Sequence, residues 1–451
     1  MSENQLEQIA SELLTRARRA GASAADAVVR EGDQFSTVVR LGQIESLKEA
    51  ASKVLGLRVF LGARSATAFS SDFSQAALAK LVERTIEMAR VTSEDPASGL
   101  PEPELLGRYS GDLELYSADV GQMTTEERIG MARRAEAAAL ATDPRIRNSE
   151  GAWFEASQGA RAYANSLGFT GSYRSSYCAV SVAPIAQNGA GGMQRDYWYS
   201  VARRASALDA PEAVGRKAAE RALRRLGARK VPTSRVPVIF DSETAPSLVA
   251  HAFDAVRGDT VYRHASFLAG KLHQRVAGEN VTILDDGLRP GGFGSRPFDD
   301  EGVPTRVTPV IERGVLQNYL LNCYTARKLG LKTTANASRG VAGPPGVGPR
   351  NFYLVAGTHR PADIIRSVKS GFYVTELIGS GVNVVTGDYS RGAAGLWIEN
   401  GELTFPVEEV TIAGNLGEML NHIAMIGADL EFRGLIAAPT LLVEGLTVAG
   451  T

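Results

Sequence analysis

The sequence predicts an α+β protein, with two N-terminal units of helix, β-meander and helix followed by a large, mostly antiparallel β-rich C-terminal domain. Three observations carry this. Apolar stripes at helical spacing bracket runs of strand-like residues, and that order occurs twice. Glycine is abundant, at 47 residues, which favours a turn-rich, sheet-rich body. The C-terminal half replaces long periodic helices with many short apolar runs punctuated by glycine.

The first helix opens on Ser2 and Gln5, which have capping-box spacing, and buries Leu6, Ile9, Ala10, Leu13 and Ala17 on one stripe. Gly21 is its stop signal. Strand-like runs follow at Asp26–Arg30, Phe35–Leu41, Ile44–Ala51 and Lys53–Leu61, with Gly32-Asp33 and Gly42-Gln43 read as turns, then Ala66–Ser71. Ser74 caps a second helix with the stripe Leu78, Leu81, Val82, Ile86 and Ala89. Residues 1–92 therefore form one α+β domain. Residues 93–116, with Asp95-Pro96 and Pro101-Glu-Pro103, lack periodicity and read as a linker. Residues 117–230 repeat the order: a helix capped by Thr124 and Glu127, strands at Ile146–Gln158, Ala160–Asn165, Phe169–Ala183 and Met193–Arg203, and a helix from Pro211 to Gly227. The repetition suggests an internal duplication. Residues 233–451 hold the strand Val236–Phe240, a helix over Pro246–Val256, and short strands at Val307–Ile311, Val315–Leu321, Gly371–Ile378, Val382–Thr386, Ala394–Glu399, Glu402–Ile412 and Leu441–Val448. Asn400-Gly401 is the strongest hairpin signal in the chain. A large antiparallel sheet or barrel-like domain is expected there.

The 451 residues are too many for one ordinary core. Acidic and basic residues nearly cancel, 50 against 49, so no field steers the chain to nucleic acid or to an anionic membrane. The basic run Arg221, Arg224, Arg225, Arg229 and Lys230 reads as a helix end, where cations favour the dipole, and not as a nucleic-acid patch. Two distant cysteines, Cys178 and Cys323, make no disulfide framework, and no run approaches the ~20 apolar residues of a membrane span. Met1–Arg19 reads as an amphipathic helix and not as a targeting signal, so a cytoplasmic location is expected.

The usual catalytic motifs are missing. The histidines are His251, His264, His273, His359 and His422, and no pair has the spacing of a helical zinc site. No Gly-x-Ser-x-Gly elbow occurs. A divergent hydrolase built on Cys178, Cys323 or His251 with Asp254 is a further reading. Gly287–Gly294 lacks the Lys-Ser/Thr ending of a phosphate loop and reads as a flexible loop, with a substrate-edge role as the sharper alternative. Gly387–Gly395 packs Asp388, Tyr389 and Arg391 between glycines. It reads either as a tight turn with an Asp–Arg pair or as a loop lining a cleft.

That last segment carries a resemblance. Gly387-Asp-Tyr-Ser-Arg-Gly-Ala-Ala-Gly-Leu-Trp-Ile-Glu-Asn-Gly-Glu and Phe405-Pro-Val-Glu-Glu-Val-Thr-Ile-Ala-Gly-Asn415 are similar to the C-terminal signature of the TldD/PmbA metallopeptidase family. So are Gly258-Asp-Thr-Val-Tyr-Arg263, Phe298-Asp-Asp-Glu-Gly-Val-Pro-Thr305, Tyr324-Thr-Ala-Arg-Lys-Leu-Gly-Leu331 and Phe372-Tyr-Val-Thr-Glu-Leu377. The likeness spans nearly the whole chain and sits closer to the PmbA/TldE branch, whose members were named modulators of DNA gyrase. It implies a two-component peptidase: a TldD-type subunit with zinc on a His-Glu-x-x-x-His helix and a C-terminal cysteine ligand, and a TldE-type partner that lacks the site.

Anchored on Gly258-Asp259, the metal helix of the family falls on Val249, Ala250 and Asp254, with the C-terminal ligand near Ala437 or Ala438. Aliphatic side chains offer a metal no lone pair. The resemblance thus implies no metal in this chain, zinc in a TldD-type partner, and unfolded or small peptides as substrates of the heterodimer. Asp388, Tyr389 and Arg391 are candidates for lining the peptide cleft. His251 and Arg263 are weaker ones, Arg263 having a structural salt bridge as its other role. A stand-alone homodimeric peptide-binding or scaffold protein is the alternative.

Overall fold

The computed structural model describes residues 1–189 and 192–450. The chain opens with α1 (Glu3–Arg19), in which both halves of the Ser2/Gln5 capping box form and Leu6, Ala10, Leu13, Leu14 and Ala17 are buried. Then come β1 (Ala24–Arg40), β2 (Gln43–Leu61), β3 (Arg64–Ser70) and α2 (Gln75–Val91). The second unit holds α3 (Asp119–Gln122), α4 (Thr125–Thr142), β4 (Ile146–Asn165), β5 (Thr170–Gln187), β6 (Met193–Arg195), β7 (Trp198–Ala202) and α5 (Pro211–Leu223).

Strands expected as pairs are single long ones. β1 and β4 run straight through the positions read as breaks, because Gly32 and Gly159 are not turn glycines. They sit opposite each other in the ladder. A Cβ on Gly32 would lie 2.7 Å from the Gln158 carbonyl oxygen, and one on Gly159 2.4 Å from that of Glu31. The glycines allow two backbones to close in, a role that one sequence cannot distinguish from a turn. The actual turn is Leu41-Gly42, both with positive φ, joining β1 to β2 in the two-residue hairpin geometry.

The two meanders share one seven-stranded sheet in the order β3-β2-β1-β4-β5-β6, with β7 also on β5. The seam is β1 against β4, antiparallel from Asp26↔Asn165 to Val39↔Ala152. All four long helices cover the same face. α1 and α2 pack on Ala25, Ala27, Val29, Leu57 and Ala162, while α4 and α5 pack on Phe35, Val39, Phe154 and Val180. The alternation of a strand sends Val28, Arg30 and Tyr163 to the opposite face, where Val28 and Tyr163 cluster with Phe298 of the C-terminal region. Residues 93–116 hold one 3₁₀ turn, Pro103–Leu105. They are tied to the C-terminal region by Gly107 N–H donating to the Gly302 carbonyl, Tyr109 N–H to the Pro297 carbonyl, and the Arg327 guanidinium to the Ala97 and Leu100 carbonyls.

The C-terminal region runs β8 (Ser234–Phe240), α6 (Ala245–Val256), α7 (Gly258–Tyr262), β9 (Ile283–Asp286), β10 (Val307–Glu312), β11 (Val315–Leu316), α8 (Cys323–Leu329), β12 (Ala337–Ser338), β13 (Gly346–Val347), β14 (Asn351–Leu354), α9 (Pro361–Ser367), β15 (Ser370–Ile378), β16 (Asp388–Glu399), β17 (Glu402–Asn415), α10 (Leu416–Asn421), β18 (Ile423–Ile426), β19 (Ile436–Ala437) and β20 (Leu441–Ala449). One sheet, β17-β16-β15-β8-β20-β18, closes on itself through a further β17–β20 pairing, which makes it barrel-like. A second sheet has the order β11-β10-β9-β14-β19. Pairing is mostly antiparallel, with β8/β15 and β14/β19 parallel. Asn400-Gly401, φ 54° and 80°, joins β16 to β17 as expected of that dipeptide. Val382–Thr386, expected as a strand, instead folds on itself: Asn383 N–H donates to the Asp388 carbonyl and Gly387 N–H to the Asn383 carbonyl. Among the described residues no helix is long and apolar enough to cross a membrane.

Candidate functional site

The helix that matters is α6. Pro246 occupies its first turn, where a missing N–H costs nothing. One face, Leu248, Val249, Ala252, Phe253 and Val256, is buried in the C-terminal core. The other carries Ser247, His251 and Asp254. Val249 is 2% exposed and packs among carbon atoms. β19 packs against this helix and brings Ala437 to it, with Ala438 next in the chain; each is 1% exposed. The position expected for a C-terminal ligand thus does lie beside the helix, and it offers a methyl group. Asp254 is half-buried and pairs with Arg257 at 3.8 Å; burial raises its pKa, against the pull of Arg257. Among the described residues no three His, Cys, Asp or Glu side chains converge as a metal cage. One carboxylate facing aliphatic carbon does not fit a zinc ion.

β16 meets this helix through Tyr389 and Arg391, which contact His251 and Ser247. The segment Asp388–Gly395 is therefore the first half of a strand and neither a tight turn nor a loop. Its expected Asp–Arg pair does not form: Asp388 is exposed and accepts a 2.6 Å hydrogen bond from the Thr386 hydroxyl, while Arg391 donates to the Ser247 hydroxyl at 2.5 Å. Tyr389 is 2% exposed, so it lines no open surface. Its ring meets that of His251 edge-on, with centroids 6.1 Å apart. The Tyr389 hydroxyl, His251 Nε2 and Arg391 Nε are all buried and, among the described residues, have no hydrogen-bond partner. Burial, and then the nearby Arg391 guanidinium, push the His251 pKa down. Burial pushes the Tyr389 phenol up to about 12, with Arg391 opposing. His251, Tyr389 and Arg391 are thus brought together. Arg263 stands apart: it is exposed, forms no ion pair among the described residues, and donates to the Tyr262 hydroxyl at 2.9 Å.

Beside the cluster lies a cavity of about 240 Å³ whose lining includes Asp196, Trp198, Arg221, Glu243, Ser247 and Arg391. It sits where β7 and α5 of the N-terminal region meet α6 and β16. Arg221 pairs with Asp196 at 3.1 Å and Asp241 at 3.8 Å, and Arg225 with Glu376 at 2.5 Å. Arg221 lies in the last turn of α5, the helix end that the basic run suggests, and with Arg225 it also serves as an interior counter-ion. Glu243 meets Arg433 at 3.2 Å, and Trp198 lies under both Arg221 and Arg433. Asp196, Trp198 and Glu243 carry no sequence signal, because their partners lie far away in the chain.

The cysteines are poor nucleophiles here. Cys178 is fully buried and its thiol is pushed up to about 12, chiefly by burial; Cys323 is driven further, by burial and by Glu301 and Asp299 beside it. A thiol so disposed stays protonated at neutral pH.

Comparison with known proteins adds three results. Family models for the PmbA/TldA metallopeptidase domain 1, central domain and C-terminal domain match residues 25–89, 118–226 and 233–450. The chain is 38% identical over 426 residues to Metalloprotease PmbA of Escherichia coli O157:H7, covering 94% of this chain and 92% of that one. It is 30% identical to a TldD homolog of Haemophilus influenzae over 253 residues, 52% of each chain. The crystal structure of a protein described as a modulator of DNA gyrase, from Bacteroides thetaiotaomicron, superposes with a TM-score of 0.92 at 27% identity, covering 100% of both chains.

Proposed function

This chain belongs to the PmbA/TldD metallopeptidase family, and on that premise we propose that it is the zinc-free, TldE-type subunit of a cytoplasmic two-component peptidase. A TldD-type partner supplies the zinc and the bond-breaking chemistry. This subunit completes the chamber and holds unfolded or small peptides in extended form, where main-chain hydrogen bonds need little sequence specificity. The single observation that carries the reading is carbon at the ligand positions: Val249 and Ala437 are buried beside one another's elements, and Asp254 is held by Arg257. Ser247, His251, Tyr389 and Arg391 form a buried polar cluster between the same helix and β16, in which His251 Nε2, the Tyr389 hydroxyl and Arg391 Nε have no hydrogen-bond partner among the described residues.

The test is metal content and cleavage, each with and without a His-Glu-x-x-x-His partner. The purified chain should hold well under one zinc per molecule and leave peptides intact. Adding the partner should give cleavage faster than the partner alone. Stoichiometric zinc in this chain by itself, or cleavage without the partner, defeats the proposal.

One observation favours a second reading, a stand-alone homodimer. β3 pairs only with Leu55–Leu61 of β2, so among the described residues the outer edge of Gln43–Val54 is unpaired. A twofold-related copy can continue a sheet across such an edge. Light scattering with and without the partner separates the two readings: a stable dimer that refuses the partner favours this one.

A further inference from the structure

The helix-free face of the N-terminal sheet is not fully covered by the C-terminal region. Between them lies a groove of about 490 Å³, within the ~300–1,000 Å³ of small-ligand sites. Its floor is bare where Gly32 meets Gly159 and small at Ser157 and Ser175, with Tyr173 and Tyr177 beside them on the same face. One wall is the segment Phe293–Arg296, the end of the glycine-rich stretch that begins at Gly287.

The charge on this groove is unbalanced. Four guanidinium groups line it, those of Arg30, Arg161, Arg203 and Arg296, and its one acidic lining residue, Glu31, follows Arg30 in the strand and so turns its side chain to the helix-covered face. Glu31 is already neutralised by the N-terminal ammonium at 2.5 Å. Arg161 and Arg296 share a single carboxylate behind the wall, Asp300, at 2.7 and 3.5 Å. Arg203 pairs with no carboxylate among the described residues. Its donors go to the carbonyls of Ser176, Gly292 and Phe293. Burial and the like charge of Arg296 lower its pKa to about 10, so it is still a cation at neutral pH. Arg30 is exposed, and it too has no ion pair among the described residues. Among the described residues the Nε atoms of Arg161 and Arg203 are both buried and without a hydrogen-bond partner, and Arg161 is 8% exposed. Removing cations from water without a matching anion is costly, and an incoming anion relieves that cost.

We propose that this groove is a carboxylate-binding subsite, which takes the carboxylate of an extended peptide against Arg161, Arg203 and Arg30. The carboxylate is either the free C-terminus or an acidic side chain. The ligand class rests on the peptide-holding function proposed above, but the binding itself needs neither partner nor zinc.

The test uses the full chain alone and fluorescence anisotropy. The probes are N-terminally labelled Gly-Ala-Val-Leu as free acid, the same peptide as C-terminal amide, and amidated Gly-Glu-Val-Leu and Gly-Lys-Val-Leu. The free acid should bind about tenfold or more tighter than its amide, a typical effect of a charged hydrogen bond, and the lysine peptide should be weakest. If the amidated glutamate peptide matches the free acid, acidic side chains are the source; if it matches the plain amide, the C-terminus is. R203Q should remove most of the preference. R30Q, at an exposed position outside the packed wall, should weaken it several-fold with the circular dichroism spectrum unchanged. Equal binding of acid and amide, no binding of any peptide, a preference that survives both variants, or a tighter grip on a single-stranded oligonucleotide than on every acidic peptide overturns the assignment. Failure of partner-dependent cleavage with carboxylate binding intact would sink only the subunit reading, and the converse pattern only this one.

Discussion

His251 is the residue whose chemistry departs furthest from what its position in the sequence suggests. It lies one residue past the glutamate position of the family's metal helix, yet its ring packs edge-on against Tyr389 and near a guanidinium. Its pKa is below the ordinary value of about 6.5, so it is neutral at pH 7. Because the folded state holds this proton less tightly than the unfolded one, His251 disfavours folding as pH falls below about 6.5 and has no effect well above it. An NMR titration should place its midpoint under that value, and R391Q should move it upward; a midpoint at or above the ordinary value contradicts this account. Val249 is the converse case, a buried aliphatic where a ligand would stand. V249H should destabilise the chain by about 1–3 kcal/mol in denaturant unfolding, since an imidazole there has no partner.

Among elements, the β1–β4 seam decides the most. It turns two helix–meander–helix units into one sheet and leaves one face free of helices. At Gly32 and Gly159 the two backbones approach too closely for a side chain. G159A puts a methyl group within 2.4 Å of a backbone oxygen and should cost about 1–3 kcal/mol in chemical denaturation. A neutral result would mean that the strands can move apart without loss.

For the whole molecule, the joint between the N-terminal sheet and the C-terminal region sets buried ion pairs beside the Val28–Tyr163–Phe298 cluster. Asp26 is fully buried between Arg58 and Arg339, at 2.8 Å from the latter, and Arg350 is 1% exposed. D26N would strand two interior guanidinium groups and should cost about 3–5 kcal/mol, against almost nothing for D388N at the surface. Burial lifts Asp299 to about 7 and Asp285 to about 6. Their folded forms hold protons that the unfolded chain releases near pH 4, so these two groups lower stability as pH rises from about 4 to 7. In urea melts, D299N should flatten that part of the pH profile.

The helices were legible residue by residue, because caps at Ser2, Ser74 and Thr124 and a 3.6-residue apolar period are local properties. The hairpin at Asn400-Gly401 was legible for the same reason. The continuity of β1 and β4 was hidden, since Gly32 means a turn or a close approach depending on a strand more than a hundred residues away. Likewise the Gly387–Gly395 stretch read as a loop until β17 paired with it. The sequence by itself determined the capped helices, the Asn400-Gly401 hairpin and the near-neutral charge. Only the tertiary structure decided that Arg161, Arg203 and Arg296 share one groove, that Arg391 answers Ser247 and not Asp388, and that Arg221 is an interior counter-ion. Local pattern follows from backbone geometry within a few residues, whereas charge pairing and burial depend on which distant segments the sheets bring together.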